Sequence, residues 1–292
     1  MNSRPAPHSP LLPRADLYVP QPGVTVEEAL QRTTDLCIAA HQDDIEIMAY
    51  AGIAECHGRT DRWFSGVVVT NGSGSPRVGR YAGFTDAQMM EVRKEEQRKA
   101  AHLGDYSIQV QLGHPSALVK EPSNPEIQAD LATLLAHIRP ETVYLHQPAD
   151  KHDTHIAVLS HCIEALRRLK PSERPRRVIG CEVWRDLDWM MDGDKLALDS
   201  GQHPHLAAAL VGVFDSQIGG GKRYDLAAIG RRSANATFHT SHAADAFSGI
   251  TWAMDLTPVI NDRELDLAAY TARYIDRFRS DVMKRLERFA PR

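Results

Sequence analysis

The stretch DLCIAAHQDDIEIMAYAGI, residues 35–53, sets the reading of this chain. Its first six residues are apolar after the opening acid and do not alternate with polar ones, as in a strand buried on both faces of a sheet. His41 then falls at the carboxyl end of that strand, and Asp43-Asp44 open the next helix. Ligand sites in open α/β sheets lie at that edge. An aspartate there can cap the helix, and a second can favour the positive end of its dipole. Capping accounts for one acid and not for the cluster. A metal accounts for more of it, because imidazole nitrogen and carboxylate oxygen are both zinc ligands.

Working outward, short β-branched runs alternate with longer stretches of helical period, the pattern of βαβ units. Strands are expected at 35–41, 64–70, 107–112, 142–147 and 177–184, with helices near 44–57, 86–103, 125–138 and 154–169. The fold class is α/β: a Rossmann-like, mostly parallel sheet flanked by helices. After residue 185 the rhythm changes to helices near 203–217 and 223–236, a strand at 249–256 and a last amphipathic helix at 262–289, a C-terminal α+β extension. No internal repeat is visible. Four prolines within the first 13 residues imply an extended N-terminal arm, placed at residues 1–30, before a single domain over 31–292.

The 292 residues are 42% hydrophobic and 25% charged, which suits a soluble globular protein with a core of its own. Four scattered cysteines with no C-x-x-C pair point to a reducing compartment. A formal net charge of −4 lacks the basic excess that nucleic-acid binding needs. No apolar run approaches the length of a membrane span or a signal peptide, so the expected location is cytoplasmic, with no membrane partner.

A second cluster, HQPADKHDTHIAV at residues 146–158, again follows an apolar strand and opens a helix. His152 and His155 are three apart and share one helical face. Each could be an ordinary cap or surface residue when taken alone. If the first and fourth strands lie side by side, however, their carboxyl ends can close a His-Asp-His metal site.

AHQDDIE, followed about 110 residues later by D-x-H-x-x-H, resembles the PIG-L/LmbE-like zinc-dependent N-deacetylase family, whose motifs are AHPDDE and HPDH. VTNGSGS (69–75), EVRKEEQRKAAHLG (91–104) and FDSQ (214–217) resemble supporting segments of that family in the expected order. The resemblance spans roughly residues 35–255, and Ile45 before Glu46 is similar to the bacillithiol/mycothiol-pathway branch. It implies zinc held by His41, Asp44 and His155, with Asp43 as general base and His152 stabilising the oxyanion. Iron, cobalt or nickel would suit the same nitrogen and oxygen donors. Gln42 stands where proline is usual, and Thr154 where an acid is usual, which leaves either Asp150 or Asp153 to orient His152. Arg93 is a substrate contact by the family helix, or else a surface pair with Glu96. Asn71 and Ser73 either rim the pocket or merely shape a turn.

Amide hydrolysis needs an activated water, a polarised carbonyl and a proton for the leaving amine, and these residue types can supply all three. The expected activity is removal of an N-acetyl group from an N-acetylglucosamine-type conjugate, a small-molecule amino-sugar substrate. The alternatives are an amidase cleaving a larger acyl group and a non-catalytic, metal-stabilised sugar-binding or assembly protein. Leu267, Tyr270, Tyr274, Phe278, Val282 and Phe289 form an apolar stripe on the last helix, and with the arm they suggest a homo-oligomer.

Overall fold

The computed structural model describes residues 11–291. In chain order the elements are β1 (Asp16–Tyr18), α1 (Val26–Gln31), β2 (Asp35–Ala39), α2 (Asp44–Met48), α3 (Tyr50–Cys56), β3 (Phe64–Thr70) and α4 (Asp86–Leu103). Next come β4 (Gln109–His114), α5 (Ser116–Val119), α6 (Pro125–His137), β5 (Thr142–His146), α7 (Asp153–Arg168) and β6 (Arg177–Cys181). The chain finishes with β7 (Leu196–Asp199), α8 (Pro204–Gly212), α9 (Asp215–Ile218), α10 (Tyr224–Phe238), β8 (Ile250–Asp255), α11 (Thr257–Asn261) and α12 (Leu267–Arg288).

One eight-stranded sheet runs in the order β1-β4-β3-β2-β5-β6-β8-β7. The five strands β4, β3, β2, β5 and β6 are parallel, while β1, β7 and β8 pair antiparallel at the two edges. This is the expected α/β sheet with its C-terminal extension. β2 sits between β3 and β5, so the order reverses beside it and the chain can splay helices to both faces. Successive residues of β2 bury into two different cores: Leu36 and Ile38 pack with α1, α6 and α7, while Cys37 and Ala39 face α2, α3, α4 and α8. Burial on both faces is why DLCIAA lacks alternation. Burying one such leucine or isoleucine contributes about 1.5–3 kcal/mol.

Several boundaries differ from the sequence pattern. The single helix expected at 44–57 is two, broken at Ala49 (φ −113°). The helix expected at 203–217 stops at Gly212 and restarts as the short α9. α12 begins only at Leu267, where the Asp266 carboxylate accepts from the Ala269 N–H at 2.8 Å as an N-cap. Of the arm expected over residues 1–30, residues 1–10 lie outside the described residues. Residues 11–30 are not a loose extension, because β1 pairs with β4, and Leu12, Leu17 and Leu30 are buried in the core. The apolar stripe of α12 divides in two. Tyr270 is buried, whereas Ile275, Phe278, Met283, Leu286 and Phe289 are exposed. Among the described residues no helix is long and apolar enough to cross a membrane, and the four cysteines are free and buried.

Candidate metal centre and active site

β2 and β5 are neighbours, so the loops leaving their carboxyl ends face one another. From the first comes His41; from the second come Asp150, His152 and, in the first turn of α7, His155. His41 Nδ1 lies 3.1 Å from Asp44 Oδ2 and 3.2 Å from His155 Nε2, and His155 Nε2 lies 3.2 Å from Asp44 Oδ2. Two imidazole nitrogens and a carboxylate oxygen thus converge on one point. His41 is partly exposed, while Asp44 and His155 are buried. The donor set fits a divalent cation with positions left open for water or substrate. Burial opposes charge on Asp44, but His155 and His41 hold its carboxyl well below the usual range. Burial likewise opposes charge on His155, and Asp44 and Asp150 override it, raising its pKa to about 9.

Asp43 is no helix cap. Its side chain makes no cap bond, and its backbone has φ +87°, a region in which Asp and Asn are among the few non-glycine residues found. The Asp43 N–H donates to Gln97 Oε1 at 3.2 Å, which helps hold that conformation. The carboxylate is left free of the helix and has Arg93 as its charged neighbour, with the guanidinium 3.6 Å from Oδ2. Burial pushes the Asp43 carboxyl well above its ordinary range, with Arg93 pulling the other way.

Of the two acids expected to orient His152, Asp150 is the one in contact, and it touches the His155 ring and the His152 backbone, not the His152 ring. Its Oδ2 faces His155 Nδ1 at 3.4 Å and accepts from the Trp184 N–H, while its Oδ1 accepts from the backbone N–H of His152 at 3.1 Å. Asp153 is exposed at the first helical position and takes no part. The His152 ring lies 4.8 Å from that of His41 and 4.6 Å from that of His155, and its buried Nδ1 has no partner. Burial, reinforced by His155, lowers the His152 pKa.

A cavity of about 610 Å³ opens over these groups, lined by His41, Asp43, Asp44, Arg93 and His152 and by residues of the C-terminal half such as Trp184, Gln217 and Tyr224. Arg93 and Glu96 are not a surface pair. Both are buried: Arg93 donates to the Gln42 carbonyl, and the Glu96 carboxylate accepts from the Ser216 N–H and hydroxyl. The FDSQ segment is thereby tied to α4. The loop after β3 reaches the cavity through Gly72, Gly74, Ser75 and Pro76, not through Asn71 or Ser73. Asn71 Oδ1 accepts from the Ser73 N–H at 3.1 Å, so these two shape the turn, and Asn71 lines a separate cavity of about 350 Å³. Gly72 has φ +75°, and a Cβ there would stand 2.7 Å from Gln42 Oε1 and 3.1 Å from Arg93. Gln42, in the usual proline position, is buried and donates to Gln111 Oε1 at 3.1 Å.

Sequence reasoning passed over His146 at the end of β5. It is fully buried, stacks on His155 with centroids 3.9 Å apart, and accepts the Ala40 N–H on Nε2 at 2.9 Å. Its position as first histidine of the second cluster was the available signal. Nothing in the sequence pattern marked Gln97, or Trp184 and Tyr224 from beyond the parallel strands.

Residues 36–166 match the family model of PIG-L, GlcNAc-PI de-N-acetylase. No curated protein matches the chain. Among solved structures, similar ones include the 4-carboxy-2-hydroxymuconate hydratase of Pseudomonas putida (18% identity, 77% of this chain and 97% of that chain, TM-score 0.59). Another is a conserved protein of Thermus thermophilus (18% identity, 80% and 99%, TM-score 0.57). A third is the N,N'-diacetylchitobiose deacetylase of Pyrococcus horikoshii (15% identity, 75% and 83%, TM-score 0.55). At these identities the likeness establishes the fold, and a hydratase beside a deacetylase shows that one fold carries different chemistry.

Proposed function

We propose that this protein is a metal-dependent amide hydrolase that removes the N-acetyl group from an N-acetylglucosamine-type conjugate. The observation that carries this reading is the position of Asp43, a carboxylate on the cavity wall next to His41, Asp44 and His155 but outside that ligand set. A metal site serving stability alone would have no use for a second acid held at positive φ. The PIG-L match over both motifs, and a sugar deacetylase among the structural neighbours, support the same assignment.

His41, Asp44 and His155 would hold the metal, which the family resemblance makes zinc. When bound, a divalent metal supplies Lewis-acid polarisation of the amide carbonyl and lowers the pKa of a coordinated water. Asp43 takes the proton of the attacking water as its oxygen bonds to the acetyl carbon. Arg93, 3.6 Å away, favours the charged carboxylate that this step requires. As the carbon–nitrogen bond breaks, Asp43 delivers the proton to nitrogen, giving acetate and a free amine. His152 lies beside the ligand set with a ring nitrogen available to donate toward the developing oxyanion. Asp150 fixes the His155 ring and the backbone at His152 before substrate arrives.

Acetate release from N-acetylglucosamine conjugates, followed with and without chelator, tests the proposal. Chelator-sensitive release is expected. Absence of release from a range of such conjugates by metal-loaded protein would overturn it.

A further inference from the structure

The cavity over the metal centre also reaches two buried side chains of opposite charge that do not pair with each other. Glu182, just past β6, is 2% exposed. Its Oε1 accepts from Asn235 Nδ2 at 2.6 Å and from the Trp252 N–H at 2.9 Å, while Oε2 has no partner. Arg232 on α10 is 4% exposed. One terminal nitrogen donates to the carbonyls of Glu46 (2.6 Å) and Ile47 (3.1 Å), and the guanidinium lies 4.5 Å from the centre of the Tyr50 ring. The other terminal nitrogen and Nε have no partner. Both residues line the cavity that holds His41 and Asp43, and both lie outside the 36–166 span of the family match.

A buried polar atom left without a hydrogen bond costs about 1–3 kcal/mol, more if charged. Here two side chains on the wall of one cavity each keep buried atoms without a partner, the rest of each side chain being anchored. Had the pair served packing alone, closing it into an ion pair would have satisfied both. The unmet groups define what can enter. A carboxylate would face Glu182, an ammonium would face Arg232, and an acyl chain would strand both charges. A neutral group that donates and accepts at once satisfies both. Burial pushes the Glu182 carboxyl up to about 7, against the bonds from Trp252 and Asn235, so a donor to its free oxygen would relieve part of that cost. Trp184 and Tyr224, whose rings stand 6.0 Å apart, line the same cavity and offer apolar faces to the C–H groups of a sugar ring.

We propose that Glu182 and Arg232 form a hydroxyl-reading subsite for a neutral saccharide or polyol portion of the ligand, a hydroxyl donating to Glu182 Oε2 and accepting from Arg232. Naming a saccharide rests on the deacetylase reading above; the donor–acceptor pair does not.

The test is direct binding without turnover. Full-length protein stripped of metal by chelator is titrated calorimetrically at about pH 8.5, where Glu182 is ionised, with methyl β-glucoside and with its hydroxyl-free analogue 2-methoxytetrahydropyran. The wild type is expected to bind the glucoside and not the analogue. Glu182→Gln, which keeps an oxygen for Asn235 and Trp252, should bind it about tenfold more weakly. If that variant does not fold, Arg232→Lys serves in its place. The crystal structure of the wild-type glucoside complex should show a hydroxyl in contact with both side chains. Equal affinity in wild type and a folded variant overturns the subsite. So does a wild-type complex with only water at the pair, or no binding up to about 100 mM. Failure of the deacetylase reading is seen separately, as absent acetate release by metal-loaded protein that still binds the glucoside.

Discussion

The Nε2 of His155 lies 3.2 Å from the Nδ1 of His41, although 114 residues separate them in the chain. Asp44 Oδ2 sits 3.1 and 3.2 Å from these same two nitrogens. Three donor atoms brought this close are best satisfied by a cation at their centre. His41→Ala, Asp44→Ala and His155→Ala should therefore each give folded protein with metal content far below stoichiometric by elemental analysis. Full occupancy in any one of them removes that residue from the ligand set.

Metal bound by the folded chain and not by the unfolded one adds RT ln(1 + [M]/Kd) to stability, about 4 kcal/mol at a thousandfold excess over Kd. Chelation should lower Tm by several degrees, and restoring the metal should return it. A Tm indifferent to chelator in protein shown to contain metal would contradict the proposed site.

Asp43→Asn preserves shape at a positive φ that asparagine also tolerates, and removes the proton acceptor. Metal content should stay at the wild-type level while kcat falls by about 10²–10⁴. Turnover near wild type would assign the base to another group.

Burial raises the Glu182 pKa from 4.5 to about 7. The native protein then holds a proton that the unfolded chain releases near 4.5. The contribution of this group to stability is therefore highest below that pH, declines as pH rises toward about 7, and is constant above. The full cost is of order 3 kcal/mol. Glu182→Gln should flatten the wild-type decline in urea-unfolding free energy between pH 5 and 8, and parallel profiles would refute the shift.

Ile275, Phe278, Met283, Leu286 and Phe289 leave apolar side chains exposed from the middle of α12 to just past its end. A second copy of the chain, carrying the same side chains, can cover them symmetrically. Light scattering at about 10 μM should show a dimer or larger. Changing Met283 and Leu286 to lysine should give monomer, while a wild-type monomer rules the interface out.

How much of this was legible in the sequence differs from element to element. β3 and α4 stand where their patterns placed them, because a continuous β-branched run and a Thr85 capping box with helical period are local signals. The two stretches rich in histidine and aspartate were legible for the same reason: each combines a buried strand with the residues that leave its carboxyl end. Nothing local revealed β1 or β7, strands of three and four residues at the sheet edges that owe their existence to β4 and β8. The break at Ala49 and the positive φ of Asp43 were equally hidden.

By itself, then, the sequence determined the class of sheet, the order of its parallel strands along the chain, and which histidines and acids stood at their ends. These follow from hydrophobic periodicity and chain direction. Tertiary structure decided which of them meet. Only the adjacency of β2 and β5 sets His41 against His155. Only the return of α10 and the segment after β6 to the same cavity places Arg232 near Glu182 there. Contacts between residues so far apart in the chain depend on strand order and helix packing, which no short stretch of sequence encodes.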